Sequence, residues 1–392
     1  MSVTFPQGFR ASGVVSGLKV SGNKDFALVV SDGPEYCAAG VFTPNRAVAA
    51  PVVYSRNALE LSGRTCRAVA INSGSANACT GEVGLAQAQE TAVKVAEALG
   101  VDDVEQVLVC STGKIGVRLP METIYSAIKL ASSSLDASEQ SGADASEAIC
   151  TTDSVPKRAT FQGENFRIGA MVKGAGMIAP QMATMICLIT TDASIDSTDL
   201  QSCLNRATDL SLNRIDSDGC MSTNDTVLLL ANGAAKFKPS NDEFLLALTQ
   251  VMKDLAAQII ADAEGASHEI SIRVSNASSE SAGVAVAREV SRSNLLKCAL
   301  FGGDPNWGRV ISSIGVVPAE VAPFNMSEVD VYMNGIMVCR GGEIGDDPKN
   351  VNLNSARRIE IMIDLKAGDT EVELLTNDLT YDYVNINAEY ST

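Results

Sequence analysis

The sequence predicts an α/β protein: a layered α/β sandwich with an antiparallel contribution and a smaller C-terminal α+β domain. Three observations carry this. Short apolar runs bounded by Gly, Pro and Asn read as strands. Longer stretches with apolar residues at helical spacing lie between them. The last part of the chain turns to period-two alternation, and the strict strand–helix–strand order of an all-parallel fold is missing. With 392 residues, 46% of them hydrophobic and 20% charged, the chain has material for two or three cores. The expected division is a larger domain over residues 1–275 and a smaller one over 276–392.

In chain order, DFALVVS (25–31), CAAGVF (37–42) and APVVYS (50–55) read as short strands. RAVAIN (67–72) leads into the small-residue loop SGSANACTGE (73–82). Leu85, Ala88, Ala92, Val95 and Leu99 keep one face of a helix that Gly100 ends. QVLVC (106–110) is a buried strand by composition, with Ser111-Thr112-Gly113 as the turn after it. Pro120 opens a second helix through Ile124, Ala127, Ile128 and Ala131. ATMICLITTDA (183–193) is another buried strand. Ser240 and Glu243 have capping-box spacing. The helix behind them uses Phe244, Leu248, Val251, Leu255 and Ile259 and stops near Gly265. Ile359, Ile361, Ile363 and Leu365 alternate with Glu360 and Asp364, and the turn at Lys366-Ala367-Gly368-Asp369 leads to Val372 and Leu374, a hairpin.

Composition narrows the chemistry. Lys and Arg total 30 against 47 Asp and Glu, a net charge of −17, which repels a phosphate backbone and argues against nucleic acid. The ten cysteines form no C-x-x-C pair and mostly sit in apolar runs, as expected of reduced thiols in the cytoplasm. The N-terminus has no apolar core of signal-peptide length, and no apolar run approaches ~18 residues, so neither export nor a membrane partner is expected. The single histidine, His268, excludes a histidine-rich metal site, and its place in ASHEISIRV suits a strand end better than a catalytic base. Gly113-Lys114 is followed by Ile115, so it lacks the Ser or Thr of a phosphate-binding loop.

A nucleophile that works without histidine is a threonine activated by its own α-amino group. That amine has a pKa of ~8, so part of it is a neutral base near pH 7. An internal threonine gains one only when the preceding peptide bond is cut. The pair Ala183-Thr184 suits such a cut. Ala183 leaves its carbonyl open, Gly174 and Gly176 permit a bent backbone, and Pro180 restricts the approach. The same residues also fit an ordinary threonine at the head of a buried strand. Thr112-Gly113, past a buried strand, offers backbone N–H groups for an oxyanion, and equally fits a plain strand–helix turn.

The stretch from Lys173 to Met185, KGAGMIAPQMATM, resembles the self-cleavage signature of the ornithine acetyltransferase family, also called glutamate N-acetyltransferase or arginine-biosynthesis bifunctional protein. The resemblance runs along nearly the whole chain. Asn72 to Ala78, Cys110 to Gly113, Thr151-Thr152-Asp153, Ser222 to Thr226, Ala263-Glu264-Gly265, Asp304 to Arg309 and Asn387 to Thr392 each resemble family segments in the expected order. Gln181 departs from it, where Asn or Ser is commoner.

The resemblance implies the architecture of self-processing N-terminal-nucleophile enzymes and a cut between Ala183 and Thr184, giving chains 1–183 and 184–392 that assemble as an α2β2 heterotetramer. It implies Thr184 as nucleophile and Thr112 with Gly113 as the oxyanion hole. Thr151, Thr152, Lys173, Thr184, Glu264, Asn387 and Thr392 would bind substrate, with the choice between Thr151 and Thr152 open. The implied reaction moves an acetyl group from N2-acetylornithine to L-glutamate by a ping-pong route, with no cofactor and no metal. Some family members also take acetyl-CoA as donor, and the sequence leaves that open. Two rival readings share these residues: a self-processing amidase or aminopeptidase, and a non-catalytic amino-acid-binding protein.

Overall fold

The computed structural model describes residues 1–179 and 185–389. Three sheets organise it. The first runs β1 (Phe9–Val14), β2 (Phe26–Ser31), β4 (Ala68–Ser75), β5 (Val107–Lys114). The second runs β3 (Cys37–Phe42), β9 (Thr226–Ala231), β8 (Ile186–Thr191), β7 (Arg167–Lys173), β6 (Lys157–Gln162). The third runs β13 (Glu343–Ile344), β12 (Ile336–Arg340), β11 (Asp330–Met333), β14 (Arg358–Asp364), β10 (Glu269–Ala277), β15 (Thr370–Asn377). The pairs β4–β5, β8–β9 and β10–β14 are parallel, and the other neighbours are antiparallel.

The first two sheets pack face to face. Val29, Ile71 and Leu108 of one share a core with Met171, Leu188 and Leu228 of the other. Alternate residues turn outward. Leu28, Ala70 and Val109 meet α2 (Gly81–Leu99) and α3 (Met121–Ser133), while Ile189, Val172 and Leu229 meet α5 (Ser197–Asp209) and α6 (Asn241–Ala261). The result is helices, sheet, sheet, helices. Strands covered on both faces are buried at every position, which is why FALVVS and ICLITT show no polar–apolar alternation. Helices α1 (Ala50–Leu61) and α4 (Glu139–Ala148) flank the first sheet. The third sheet has its own core with α7 (Glu280–Ser291), α8 (Asn294–Phe301) and α9 (Trp307–Ile314), and α10 (Tyr381–Glu389) follows β15.

The mixed α/β class agrees with the sequence, and several elements depart from it. APVVYS opens α1 rather than a strand. Pro51 is tolerated in a first turn, and buried Val52, Ser55, Ala58 and Leu59 recur at helical spacing once the window extends past six residues. Strand β5 continues through Ser111, Thr112 and Gly113, so that segment is not a turn. Helix α6 ends at Ala261, with Ser240 capping Glu243 N–H as expected. It is long and apolar enough to cross a membrane by length and composition, but its apolar face is built into the core. The division after residue 275 falls inside β10, a strand of the third sheet.

The expected hairpin is also absent: β10 lies between β14 and β15, parallel to one and antiparallel to the other. The connecting turn arches over the end of β10, with Leu365 N–H on Ser275 O (3.1 Å) and Ala367 N–H on Asn276 O (2.8 Å). Alternation reports which face of a strand is buried and nothing about its neighbour. At the crown, a Cβ on Gly368 would lie 2.3 Å from Ala277 O. Gly368→Ala should therefore cost ~1–3 kcal/mol through overpacking, read as a lower denaturant midpoint. An unchanged midpoint would show that the turn has room.

Candidate active site

The Thr112-Gly113 segment is fixed by a close approach of two strands. Gly113 pairs with Gly74 across β4 and β5, with φ of 129° and 113°, values that L side chains avoid. A Cβ on Gly113 would fall 2.4 Å from the Gly74 carbonyl carbon. Thr112 is buried beside it. Polar neighbours hold the strand end: Ser111 Oγ donates to Asn72 Oδ1 (2.6 Å), and Asn72 Nδ2 donates to Ser75 O (2.9 Å). From the loop before β9, Asn224 Nδ2 donates to both Ser111 O and Ala76 O, each at 2.7 Å.

On the second sheet Lys173 and Ile186 oppose each other, so the chain between them leaves and returns at one end of the β7–β8 pair. Met177 there has φ of 53°, an unfavourable value for a side-chain-bearing residue. Asp218 offsets that cost, its two oxygens accepting Met177 N–H and Ile178 N–H at 2.8 Å each. The expected cleavage pair, Ala183 and Thr184, lies outside the described residues, and so does Thr392. The next residue, Met185, donates its N–H to Asp225 Oδ1 at 3.0 Å. Burial pushes the Asp225 carboxyl well above the usual carboxylate range, although Lys173 pulls the other way.

Thr151, Lys173, Glu264 and Asn387 connect to the same loop. Asp153 accepts Thr151 N–H (3.0 Å), Gly174 N–H (2.7 Å) and Lys157 Nζ (2.7 Å). Burial opposes that charge, but Lys173 and Lys157 keep Asp153 below its ordinary value. Lys173 is itself buried; desolvation lowers its pKa, with Asp153 opposing. Thr151 and Thr152 are half-buried. Glu264 N–H donates to Ala175 O (2.9 Å), and a Cβ on Gly176 would lie 2.5 Å from the Glu264 carboxylate. Exposed Asn387, on α10, donates through Nδ2 to Glu264 Oε2 at 3.1 Å.

Glu264 also lines a cavity of about 490 Å³ with Asp216, Asp218, Arg292, Lys297 and Tyr383. Lys173 does not line it. Another cavity, about 610 Å³ between α5, α6 and β15, contains none of the candidate residues. His268 sits at the head of β10 with Nδ1 2.8 Å from Asp378 Oδ2, a strand-end role as expected. Sequence reasoning gave no role to Asn224, Asp225, Asp218 or Lys297. The first two stand in the Ser222–Thr226 segment it marked. Asp218 and Lys297 carry no local signal, because only folding brings them to the site.

Facing sheets with a glycine-paired strand end, an internal Ala-Thr pair and a carboxylate-lined cavity at one end define a mixed α/β enzyme with a polar small-molecule site. A family model described as the ArgJ family matches residues 10–392, and the chain belongs to that family. The arginine biosynthesis bifunctional protein ArgJ of Bifidobacterium longum is 51% identical over 395 residues, covering 100% of both chains. That of Thermobifida fusca is 46% identical over 392 residues, again covering 100% of both. Among solved structures, the ornithine acetyltransferase of Mycobacterium tuberculosis complexed with ornithine is 44% identical, with a TM-score of 0.45, covering 47% of this chain and 96% of that one. The Bacillus halodurans ArgJ structure is 35% identical, with a TM-score of 0.48, covering 51% and 97%.

Lys297 gives the cavity a pH signature. Its amine donates to Ser217 O and to Thr376 Oγ1, and burial pushes its pKa down to about 8 from 10.5, against the pull of Asp216, Asp218 and Asp378. Between those values the unfolded lysine holds a proton that the folded one has lost, so this residue's contribution to stability rises with pH from about 8 toward 10.5. The unfolding free energy of wild type minus that of Lys297→Met should grow over that window. A flat or falling difference in denaturant titrations would contradict it.

Proposed function

We propose that this protein carries an acetyl group from N2-acetylornithine to L-glutamate, in keeping with its membership of a family of arginine-biosynthesis acetyltransferases. The observation that carries the reading is the convergence of two strand ends. The Thr112-Gly113 segment and Met185, the neighbour of Thr184, are held by adjacent residues of one loop.

In this reading Thr184 Oγ first attacks the Ala183 carbonyl. The peptide C–N bond breaks as the acyl group moves to oxygen, and water hydrolyses the resulting ester. Ala183 then ends in a carboxylate and Thr184 begins with a free amine. In turnover that amine takes the hydroxyl proton while Oγ attacks the acetyl carbon of N2-acetylornithine. The Gly113 N–H and Thr112 hydroxyl receive the developing oxyanion. The C–N bond breaks, the proton passes to the leaving ornithine amine, and an acetyl ester remains on Thr184. The amine of glutamate attacks that ester to give N-acetylglutamate.

Glu264 accepts the ornithine ammonium. Lys173 supplies positive charge behind the site, and Asn387, Thr392 and Thr151 or Thr152 supply neutral donors to the amino-acid carboxylate. The scheme needs no cofactor. It extends to acetyl-CoA as a second donor, and to an α2β2 assembly of the cut chains.

Denaturing gels of wild type should show two pieces, 1–183 and 184–392, and Thr184→Ala should remain one inactive chain. Normal cutting of Thr184→Ala would remove Thr184 as the cleaving group. Thr112→Ala should fold and slow transfer by ~10²-fold or more, the scale of losing one oxyanion donor. Unchanged turnover would exclude Thr112. Product analysis in the presence of glutamate separates the rival chemistry, since free acetate as the main product would make the protein a hydrolase.

A further inference from the structure

Asn224 and Asp225 are neighbours in the loop that enters β9, and both side chains are buried, with 5% and 0% exposure. They face different sheets. Asn224 uses both amide protons on the first sheet, at Ser111 O and Ala76 O (2.7 Å each). Its orientation is set by Thr223, whose hydroxyl donates to Asn224 Oδ1 at 2.6 Å. Asp225 holds the second sheet, with Oδ1 on Met185 N–H (3.0 Å). Met185 is gripped from the other side too, since its carbonyl accepts Thr226 N–H at 3.1 Å. The loop is anchored by Thr43, whose N–H donates to Asp225 O (3.0 Å) and whose hydroxyl donates to Ser222 O (2.9 Å).

Two segments far apart in the chain, 111–113 and 185, therefore hang on consecutive residues, whose Cα atoms are separated by ~3.8 Å. We propose that Asn224 and Asp225 are a positioning pair that fixes the separation between the Thr112-Gly113 oxyanion donors and the Thr184 nucleophile. This rests on the reading of Thr184, Thr112 and Gly113 given above. Acyl transfer is sensitive to that separation, because a misplacement of ~1 Å costs ~10²-fold in rate. The pair touches neither substrate nor the reacting atoms in this scheme. Asn224 acts through the Ser111 carbonyl, and Asp225 through the peptide that follows Thr184. Met185 N–H is the contact through which Asp225 reaches the head of β8, while Ser222 and the positive charge of Lys173 also favour its carboxylate.

The test uses the full-length protein and measures kcat per cleaved site, KM for both substrates, cleavage on gels and thermal midpoint. Asn224→Ser and Asp225→Ala should each lower kcat by ~10²-fold with KM within about threefold of wild type, the pattern of an interaction realised in the transition state. Asp225→Asn keeps an acceptor oxygen for Met185 N–H and should recover most of what Asp225→Ala loses. In a Thr112→Ala background, Asn224→Ser should cost less than it does in wild type, because one of the two donors it positions is already gone. That non-additivity separates positioning from general loss of fold. Wild-type kcat in folded Asn224→Ser and Asp225→Ala, full additivity with Thr112→Ala, or equal damage from Asp225→Asn and Asp225→Ala would each overturn the inference. An active, uncut Thr184→Ala control would instead overturn the nucleophile assignment and this inference with it.

Discussion

The face-to-face packing of two sheets is the constraint on which the rest depends. Ile71 and Leu108 on one side and Leu188 and Leu228 on the other make the shared layer mainly apolar, and the buried Thr190 hydroxyl within it is bonded to Val3 O. Chemistry is therefore confined to the ends of the strands. There β4 and β5 finish while β8 and β9 begin, and backbone groups no longer committed to the ladders need partners. Asn72, Asn224, Asp225, Asp153 and Asp218 supply them. The same side chains that satisfy the strand ends also frame the candidate site, so fold and site draw on one set of hydrogen bonds.

Charge follows the same geography. The protein is acidic as a whole, yet at this end Lys157, Lys173 and Lys297 are buried among carboxylates. Lys157 is fully enclosed between Asp153 (2.7 Å) and Asp262 (2.5 Å), which joins the 151–153 loop to the end of α6. Buried ions are costly unless paired, and each of these lies close to carboxylates. Charges buried this deeply are little screened by solvent and act strongly on the polar groups beside them.

What the sequence made legible was local. Runs buried on both faces identified β2 and β8, and helical spacing identified α2, α3 and α6. It misread α1 because Val52, Val53 and Tyr54 are good strand formers and the helical period shows only over a longer window. The hairpin failed because strand order is set by long-range pairing, and the insertion of β10 leaves no mark on β14 or β15. For the candidate site the sequence offered residue types in a row, as in the Lys173–Met185 and Ser111–Gly113 segments; residues 180–184 of the first lie outside the described residues, and the second is strand rather than turn. Asp218 and Lys297 stayed hidden because their meaning comes from contacts across the fold: Asp218 receives N–H groups from residues about forty positions earlier, and Lys297 reaches Thr376.

The contact between Asp225 and Met185 spans 40 residues of chain, and β8 completes its sheet only by pairing with β9 beyond it. Glu264, which braces Ala175, comes later still. A chain emerging from the ribosome thus reaches Thr184 well before the parts that would brace its surroundings exist. Under the proposed processing, the cut can follow only after the downstream half has been made and has packed. The appearance of two pieces would then act as a molecular timestamp: every active copy would be one that had already passed through its finished fold. Strands from both sides of the cut interleave in the second sheet, β3, β6 and β7 with β8 and β9, so severing the backbone would leave the halves locked together.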